Sequence, residues 1–457
     1  MLDIIRRTVT WLAGVDYVEA RVHRASGTHV NYVGKELEDV GETTSLGGCV
    51  RVLVNGAWGF CSFNDVEEMP RYAAMARDQA RLIGGGTARL APVPPRTGCD
   101  RIPPAEDPAA ITLAEKEAIC RRYNDLMRSL SHRIQTTSVR YSDAAGTLYF
   151  GNSEGALAQQ EITFCGVSLL AIARDGANVQ TARYSVGDLR GFQIVRGLEE
   201  QCEKVVRDAV EMLSAQPVTA GRYTVICDPL LAGVFAHEAF GHLSEADFIY
   251  EHERLKEIMT LGRRFGNDDL SIVDDATLPN EAGSYPFDSE GVPAQRTYLL
   301  REGRLVGRLH SRETAALMGE SPTGNARAIS YVHEPLVRMS NTFIEPRDVS
   351  FEQMLAETED GIYAVGFLGG QTDMEMFSFS SEQAWRIRKG KLCERLRDVI
   401  LTGNVFHTLK NIDRIGNDLR LYGGLGGCGK GGQSPLRVSD GGPHIRIRDV
   451  VVGGQQP

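Results

Sequence analysis

The segment from Leu230 to Ile249 constrains this chain more than any other, because it places His237-Glu238-Ala239-Phe240-Gly241-His242 inside an apolar run. Two imidazoles flanking a carboxylate, set among Ala, Val and Phe, are costly to bury without partners. One metal ion would partner both rings. The segment follows Tyr223-Thr224-Val225-Ile226-Cys227, which reads as a buried strand, and opens after Asp228-Pro229. Asp as cap and Pro in the first turn mark a helix start. The expectation is a metallohydrolase.

The spacing is not that of the common zinc-protease helix. Histidines four apart sit about 40° from each other around a helix, so both face one ion. Five apart, they sit about 140° from each other. A straight helix could not bring both nitrogens within about 2 Å of one metal. A π-bulge makes i and i+5 neighbours, and Gly241, with no Cβ, tolerates such a distortion. The sequence therefore predicts a break in regular helical geometry near Phe240-Gly241. A plain helix through His242 would count against a site.

A third ligand is offered by Cys428, inside Gly423-Gly424-Leu425-Gly426-Gly427-Cys428-Gly429-Lys430-Gly431-Gly432-Gln433. Flanking glycines let the backbone approach closely and aim one side chain. A thiolate there would complete a His2Cys set with an open fourth position, the layout of a catalytic zinc centre. The bland alternative is an ordinary cysteine in a turn, paired with two satisfied core histidines. The same stretch imitates a phosphate-binding loop through Gly424, Gly429 and Lys430. Gly431 stands where Ser or Thr should hold magnesium, however, and Gln433-Ser434-Pro435 is a poor helix start. His252 lies among charges and reads as exposed, while His310, His333 and His444 read equally well as structural. Asp274-Asp275 and Asp288-Ser289-Glu290-Gly291 read as turn formers rather than a second metal site.

Around this core the chain divides by its turn signals. The start, residues 1–20, is interrupted by Asp3, Arg6, Arg7 and Asp16 and reads as an amphipathic helix leading into a strand, not a signal peptide. Tyr17 to His23 alternates as a strand. Asn55-Gly56 between Cys49–Val54 and Trp58–Phe63 is a hairpin signal, and a helix follows over Val66–Leu82. A Pro-rich linker runs from Gly84-Gly85-Gly86 to Pro108. Thr112 with Glu115 forms a capping box opening a helix to Leu130. Arg133 to Gly187 reads as several strands, with turns at Asp143-Ala144-Ala145-Gly146, Gly151–Gly155 and Asp175-Gly176. Gly197–Ala215 reads as another helix. The expected fold class is α+β: antiparallel sheet-and-helix subdomains over 1–86 and 109–218, then a β-rich C-terminal domain over 221–457 carrying the metal-binding helix.

Composition narrows the setting. No apolar run approaches the roughly 20 residues of a membrane span. A net charge of −10 argues against a broad nucleic-acid surface. The nine cysteines, odd in number and scattered, do not form a secreted disulfide framework. Cys49, Cys120, Cys165 and Cys202 read as small core residues, and a reducing cytoplasm is the expected compartment.

With these pieces in view, the chain closely resembles the TldD/PmbA family, in its TldD-type form. The resemblance rests on His237–His242, Phe287-Asp288-Ser289-Glu290-Gly291-Val292-Pro293, Thr323-Gly324-Asn325, Gly427–Gln433 and Asp440-Gly441-Gly442-Pro443-His444-Ile445. It implies a metallopeptidase acting on unfolded or small peptides, with Zn2+ held by His237, His242 and Cys428 and Glu238 as general base. It also implies pairing with a PmbA/TldE-type subunit that lacks the histidine motif, or with a second copy. Neither a membrane nor direct nucleic-acid contact is expected. Gly427 stands where some relatives have Thr before the cysteine, a departure expected to alter loop geometry rather than ligand identity. The alternative of another class is a non-catalytic binding or modulator subunit with a structural metal or none.

Overall fold

The structure, a computed structural model, describes residues 1–453. Its first half is built on one seven-stranded sheet whose central members are unusually long: Tyr17–Val33, Glu36–Val54, Ile134–Asn152 and Leu157–Asp175. Tyr17–Val33 pairs antiparallel with Glu36–Val54 on one side and with Ile134–Asn152 on the other. The residues before and after the Pro-rich segment thus share a single ladder.

Side chains alternate across a strand, and here the even-numbered Val18, Ala20, Val22, Val30 and Tyr32 are all buried on one face. The Tyr17 end of that face packs with Leu2–Trp11 and Met69–Ile83, the Val33 end with Leu113–Ser129 and Glu199–Met212. The opposite face meets the C-terminal domain through buried charge. Arg51 bridges Glu19 and Glu290, each at 2.8 Å, and Glu290 also accepts the backbone N–H of Arg312 at 2.8 Å. A buried arginine is tolerable only when so paired.

Several local readings hold. Asn55 and Gly56 both take positive φ, at 50° and 75°, as their hairpin requires. Thr112 and Glu115 form the reciprocal capping box. Cys49, Cys120, Cys165 and Cys202 are buried and unpaired.

Others need correction. Asp143-Ala144-Ala145-Gly146 is not a turn but the middle of Ile134–Asn152. The Asp143 carboxylate is consumed by Lys116 Nζ at 2.7 Å, by the Tyr141 hydroxyl at 2.5 Å and by Thr28. A turn-forming residue with such partners no longer needs its own backbone. The Pro-rich segment is not merely a linker, because Thr97–Ile102 adds a parallel strand to Leu157–Asp175. Asp274 and Asp275 lie in the strand Ile272–Asp275, not a turn. Asp274 accepts hydrogen bonds from Asn325, Ser340 and Thr342. Asp288 is a turn former: it accepts the N–H groups of Glu290, Val292 and Ala326, each at 2.9 Å. His252 is half-buried rather than exposed, its Nδ1 2.8 Å from the Phe248 carbonyl.

The C-terminal domain stacks a ten-stranded and a six-stranded sheet around the helix Pro229–Ala236. A helix apolar all round must be buried all round. Phe235 packs edge-on against Phe377 and Phe379 of the larger sheet. On the other side Gly233 meets the smaller sheet so closely that a Cβ would lie 2.3 Å from the Gly441 nitrogen. Gly221–Cys227, the strand leading into the helix, is central in the larger sheet, between Ile445–Gly453 and Asp360–Val365. Gly369–Asp373 is an edge strand of that sheet. The architecture is α+β with a β-rich C-terminal half. No helix among the described residues is long and apolar enough to cross a membrane.

Candidate metal centre

The helix that carries the histidines starts as its sequence predicts. Asp228 accepts the N–H of Leu231 at 3.0 Å as N-cap, and the same oxygen accepts Gly366 N–H at 3.0 Å, tying the cap to the large sheet. Regular α geometry ends at Ala236. His237–Gly241 is a π-turn, followed by a 3-10 turn over His242–Ser244. Ser244 Oγ donates to the Phe240 carbonyl at 2.8 Å, satisfying a backbone group in the irregular turn. Phe240 is buried against Phe265 and Gly241 against Met339.

The extra residue in the turn brings the two rings to one side, their centroids 5.1 Å apart and their planes nearly perpendicular. Cys428 arrives from the strand Cys428–Lys430 of a two-stranded hairpin with Gln433–Leu436. Its sulfur lies 3.4 Å from His242 Nε2, and single ligand atoms of His237, His242 and Cys428 all fall within 4.8 Å of one another. Among the described residues this cluster comprises three donors.

Each ring is held from behind by a carboxylate. His242 Nδ1 is 3.1 Å from Glu245 Oε2. His237 Nδ1 is 2.6 Å from Asp440 Oδ1, an ion-pair distance, although the approach is too oblique for a well-formed hydrogen bond. Such contacts fix the tautomer and aim the other nitrogen inward. Glu245, buried, is itself paired with Lys430 Nζ at 2.9 Å. Lys430 also donates to Asp247 at 2.7 Å and to the Val337 carbonyl at 2.9 Å. That lysine, which imitates a phosphate-loop lysine in sequence, is saturated by protein.

The electrostatics agree with this layout. Burial would raise the Cys428 thiol, but hydrogen bonds to His237 and His242 overcome it and bring it down to about 5. Burial would depress the His242 imidazole, yet Glu245 and the Cys428 sulfur push it up to about 10. His237 is likewise raised, against its burial, by Asp440 and Cys428. A thiolate beside two carboxylate-anchored histidines is the donor chemistry of a zinc site once an ion displaces the imidazolium protons, so the residues present fit such an ion.

Glu238 points elsewhere from the same turn. Its carboxylate is 4.0 Å from His242 Nε2 and 32% exposed. It lines a cleft of about 350 Å3 together with His242, Phe248, Lys430 and the edge strand Gly369–Asp373.

Four residues that complete this centre were not singled out for it by sequence: Asp440, Glu245, Lys430 and Arg338. Arg338, fully buried, donates to the Cys428 carbonyl at 2.7 Å and to the Gln433 carbonyl at 3.3 Å, clamping the hairpin. Glu245 stands three residues after His242, within one helical turn, which was a readable signal. Asp440 falls in a stretch quoted above, but nothing local assigns it to a histidine two hundred residues away. Gly427 has a steric reason, since a Cβ there would lie 2.3 Å from the Leu436 carbonyl oxygen. His310, His333 and His444 are tied into protein. His310 contacts Glu320 and Thr314, and His444 contacts Asp418 and Tyr363.

Comparison with known proteins places this geometry. Family sequence profiles for the PmbA/TldA metallopeptidase match domain 1 at residues 18–80, the central domain at 106–216 and the C-terminal domain at 220–454. A metalloprotease of Synechocystis sp. is 46% identical over 441 residues, covering 96% of this chain and 95% of its own. A zinc metalloprotease TldD homolog of Saccharolobus solfataricus is 28% identical over 450 residues, covering 96% and 97%. Among solved structures, TldE from Thermococcus kodakarensis superposes with a TM-score of 0.79 at 16% identity, covering 99% of both chains. A Thermotoga maritima protein described as a candidate modulator of a DNA gyrase does so at 0.81 and 19%, covering 99% and 100%. These two show the shared fold. With all three family domains matched in order and a named metalloprotease aligned along nearly its whole length, the chain belongs to the PmbA/TldD metallopeptidase family.

Proposed function

We propose that the chain is a zinc-dependent peptidase that hydrolyses unfolded or small peptides. The observation that carries this reading is the convergence of His237, His242 and Cys428 beside an open cleft that also exposes Glu238. Three protein donors leave room for solvent or substrate, as catalytic zinc sites do. Residues 221–457 carry the chemistry in this reading, and residues 1–86 and 109–218 supply the supporting sheet.

Bound zinc would supply Lewis acidity, polarising a carbonyl and making water a stronger acid. His237, His242 and Cys428 would hold it, with Asp440 and Glu245 fixing the two rings. Glu238, on the cleft side of the turn, accepts a proton from water at its carboxylate and returns it to the leaving amine. The edge strand Gly369–Asp373 offers unpaired backbone beside the cleft. An extended peptide pairing with it would be read through its main chain rather than its side chains, which suits broad specificity. Nine free thiols support a cytoplasmic setting. The TldE-like fold supports pairing with a subunit of that type, or with a second copy.

The test is metal analysis of the purified protein beside hydrolysis of unstructured peptides, with and without a chelator. One zinc per chain and chelator-sensitive cleavage are expected. Tightly held metal with no cleavage, alone or with a PmbA/TldE-type partner, would favour the modulator reading.

A further inference from the structure

The hairpin that carries Cys428 has a second side. There, two cavities of about 360 and about 500 Å3 open between the long-stranded sheet and the C-terminal domain, and Arg437 stands in the walls of both. Leu436 is the cross-strand partner of Cys428, and Arg437 is the next residue. Its guanidinium carbon lies over the Phe164 ring, 4.1 Å from the centroid. Among the described residues its side chain makes no ion pair.

A second arginine in the first cavity wall, Arg327, is in the same position. Its two terminal nitrogens donate to the backbone carbonyls of Met339 and Arg437, at 2.5 and 2.9 Å, and it stacks on Tyr285. Asp288 in the same wall accepts three backbone N–H groups and makes no ion pair with either arginine, and Asp274 acts on Arg327 through its charge alone. Burial, and then the charge of Arg327, bring Arg437 down to about 10. Both arginines are half-buried, and neither has a carboxylate within ion-pair distance among the described residues, an arrangement that leaves a partly desolvated cation short of a counter-charge. Elsewhere in this protein, buried Arg51 has two carboxylates.

We propose that Arg437, supported by Arg327, binds a peptide carboxylate in this cleft, as a site separate from the metal centre. A guanidinium seated over an aromatic ring keeps its N–H fork available to a carboxylate in bidentate fashion. The group is a C-terminal carboxylate or an Asp or Glu side chain. Peptide as its carrier rests on the peptidase reading, and the arginine site itself does not.

The experiment measures binding of three labelled decapeptides to the full-length chain carrying Glu238→Ala, so that nothing is consumed. The peptides share one uncharged sequence and end in a carboxylate, in an amide, or in an amide with one internal Glu. At least one acidic peptide should bind about tenfold more tightly than the neutral amide, less so at high salt. That advantage should fall below about twofold in Arg437→Gln and survive in part in Arg437→Lys. Should Arg437→Gln fail to fold, the Lys variant and the salt dependence carry the comparison. Equal affinity for all three peptides overturns the proposal. So does loss of the acidic advantage to millimolar inorganic phosphate, which would assign the arginines to a free anion. Arg437-dependent binding without hydrolysis by the wild type, alone or with a PmbA/TldE-type partner, would sink the peptidase reading alone. Hydrolysis without a carboxylate preference would sink this one alone.

Discussion

His237 and His242 face each other across 5.1 Å although five residues separate them, because the turn between them is π rather than α. That geometry depends on Gly241 lying against Met339. A Cβ on Gly241 would sit 2.0 Å from the Met339 sulfur, and Met339 is fully buried. Gly241→Ala should therefore destabilise the protein by about 1–3 kcal/mol and weaken metal binding by displacing the turn. Chemical denaturation and metal titration would measure both effects. Adding Met339→Ala should recover part of the loss, since residues in contact couple. Strict additivity would mean the contact is not what holds the turn.

Asp440 would act on a bound metal only through His237. Asp440→Asn keeps the shape but removes the charge 2.6 Å from Nδ1. Metal affinity should fall about 10–100-fold in competition against a chelating dye, with the fold unchanged by circular dichroism. An affinity equal to wild type would remove Asp440 from the site.

Glu238 is exposed to the cleft and is outside the three-donor cluster. Glu238→Ala should retain one metal per chain by elemental analysis while peptide cleavage disappears. Cleavage at the wild-type rate would take Glu238 out of the chemistry, and loss of the metal would make it a ligand instead.

Glu382 gives a pH dependence away from the metal. It joins the C-terminal domain to the N-terminal sheet by accepting the Arg183 N–H at 2.7 Å, and burial pushes its carboxyl up to about 7. The folded state then holds a proton that the unfolded chain releases near 4.5. Its contribution is fully present below about pH 4.5 and is lost as pH rises through about 7, by up to about 3 kcal/mol. Glu382→Gln, which stays neutral, should be more stable than wild type at pH 8 and indistinguishable near pH 4. A constant difference across that range would show that the carboxyl titrates normally.

Local chemistry was readable along much of the chain. The Asn55-Gly56 hairpin, the Thr112–Glu115 box and the Asp228 cap each depend on residues a few positions apart, so short sequence windows contain their causes. The break at Gly241 is signalled by the local histidine spacing, while its packing partner Met339 is distant. The Asp143–Gly146 misreading shows the limit. Its turn-like composition was overruled by Lys116, Thr28 and Tyr141, partners from other elements.

The sequence by itself determined that two histidines and a carboxylate would occupy an apolar helix in a geometry no straight helix could make productive, since helical pitch alone decides that. Only the tertiary structure decided what stands around them. Cys428, Asp440, Glu245 with Lys430, and the two arginines without ion pairs behind the hairpin are neighbours because strands distant in sequence pair and stack. Charge and hydrogen bonding act over a few ångströms of space, and the order of residues along the chain does not record that distance.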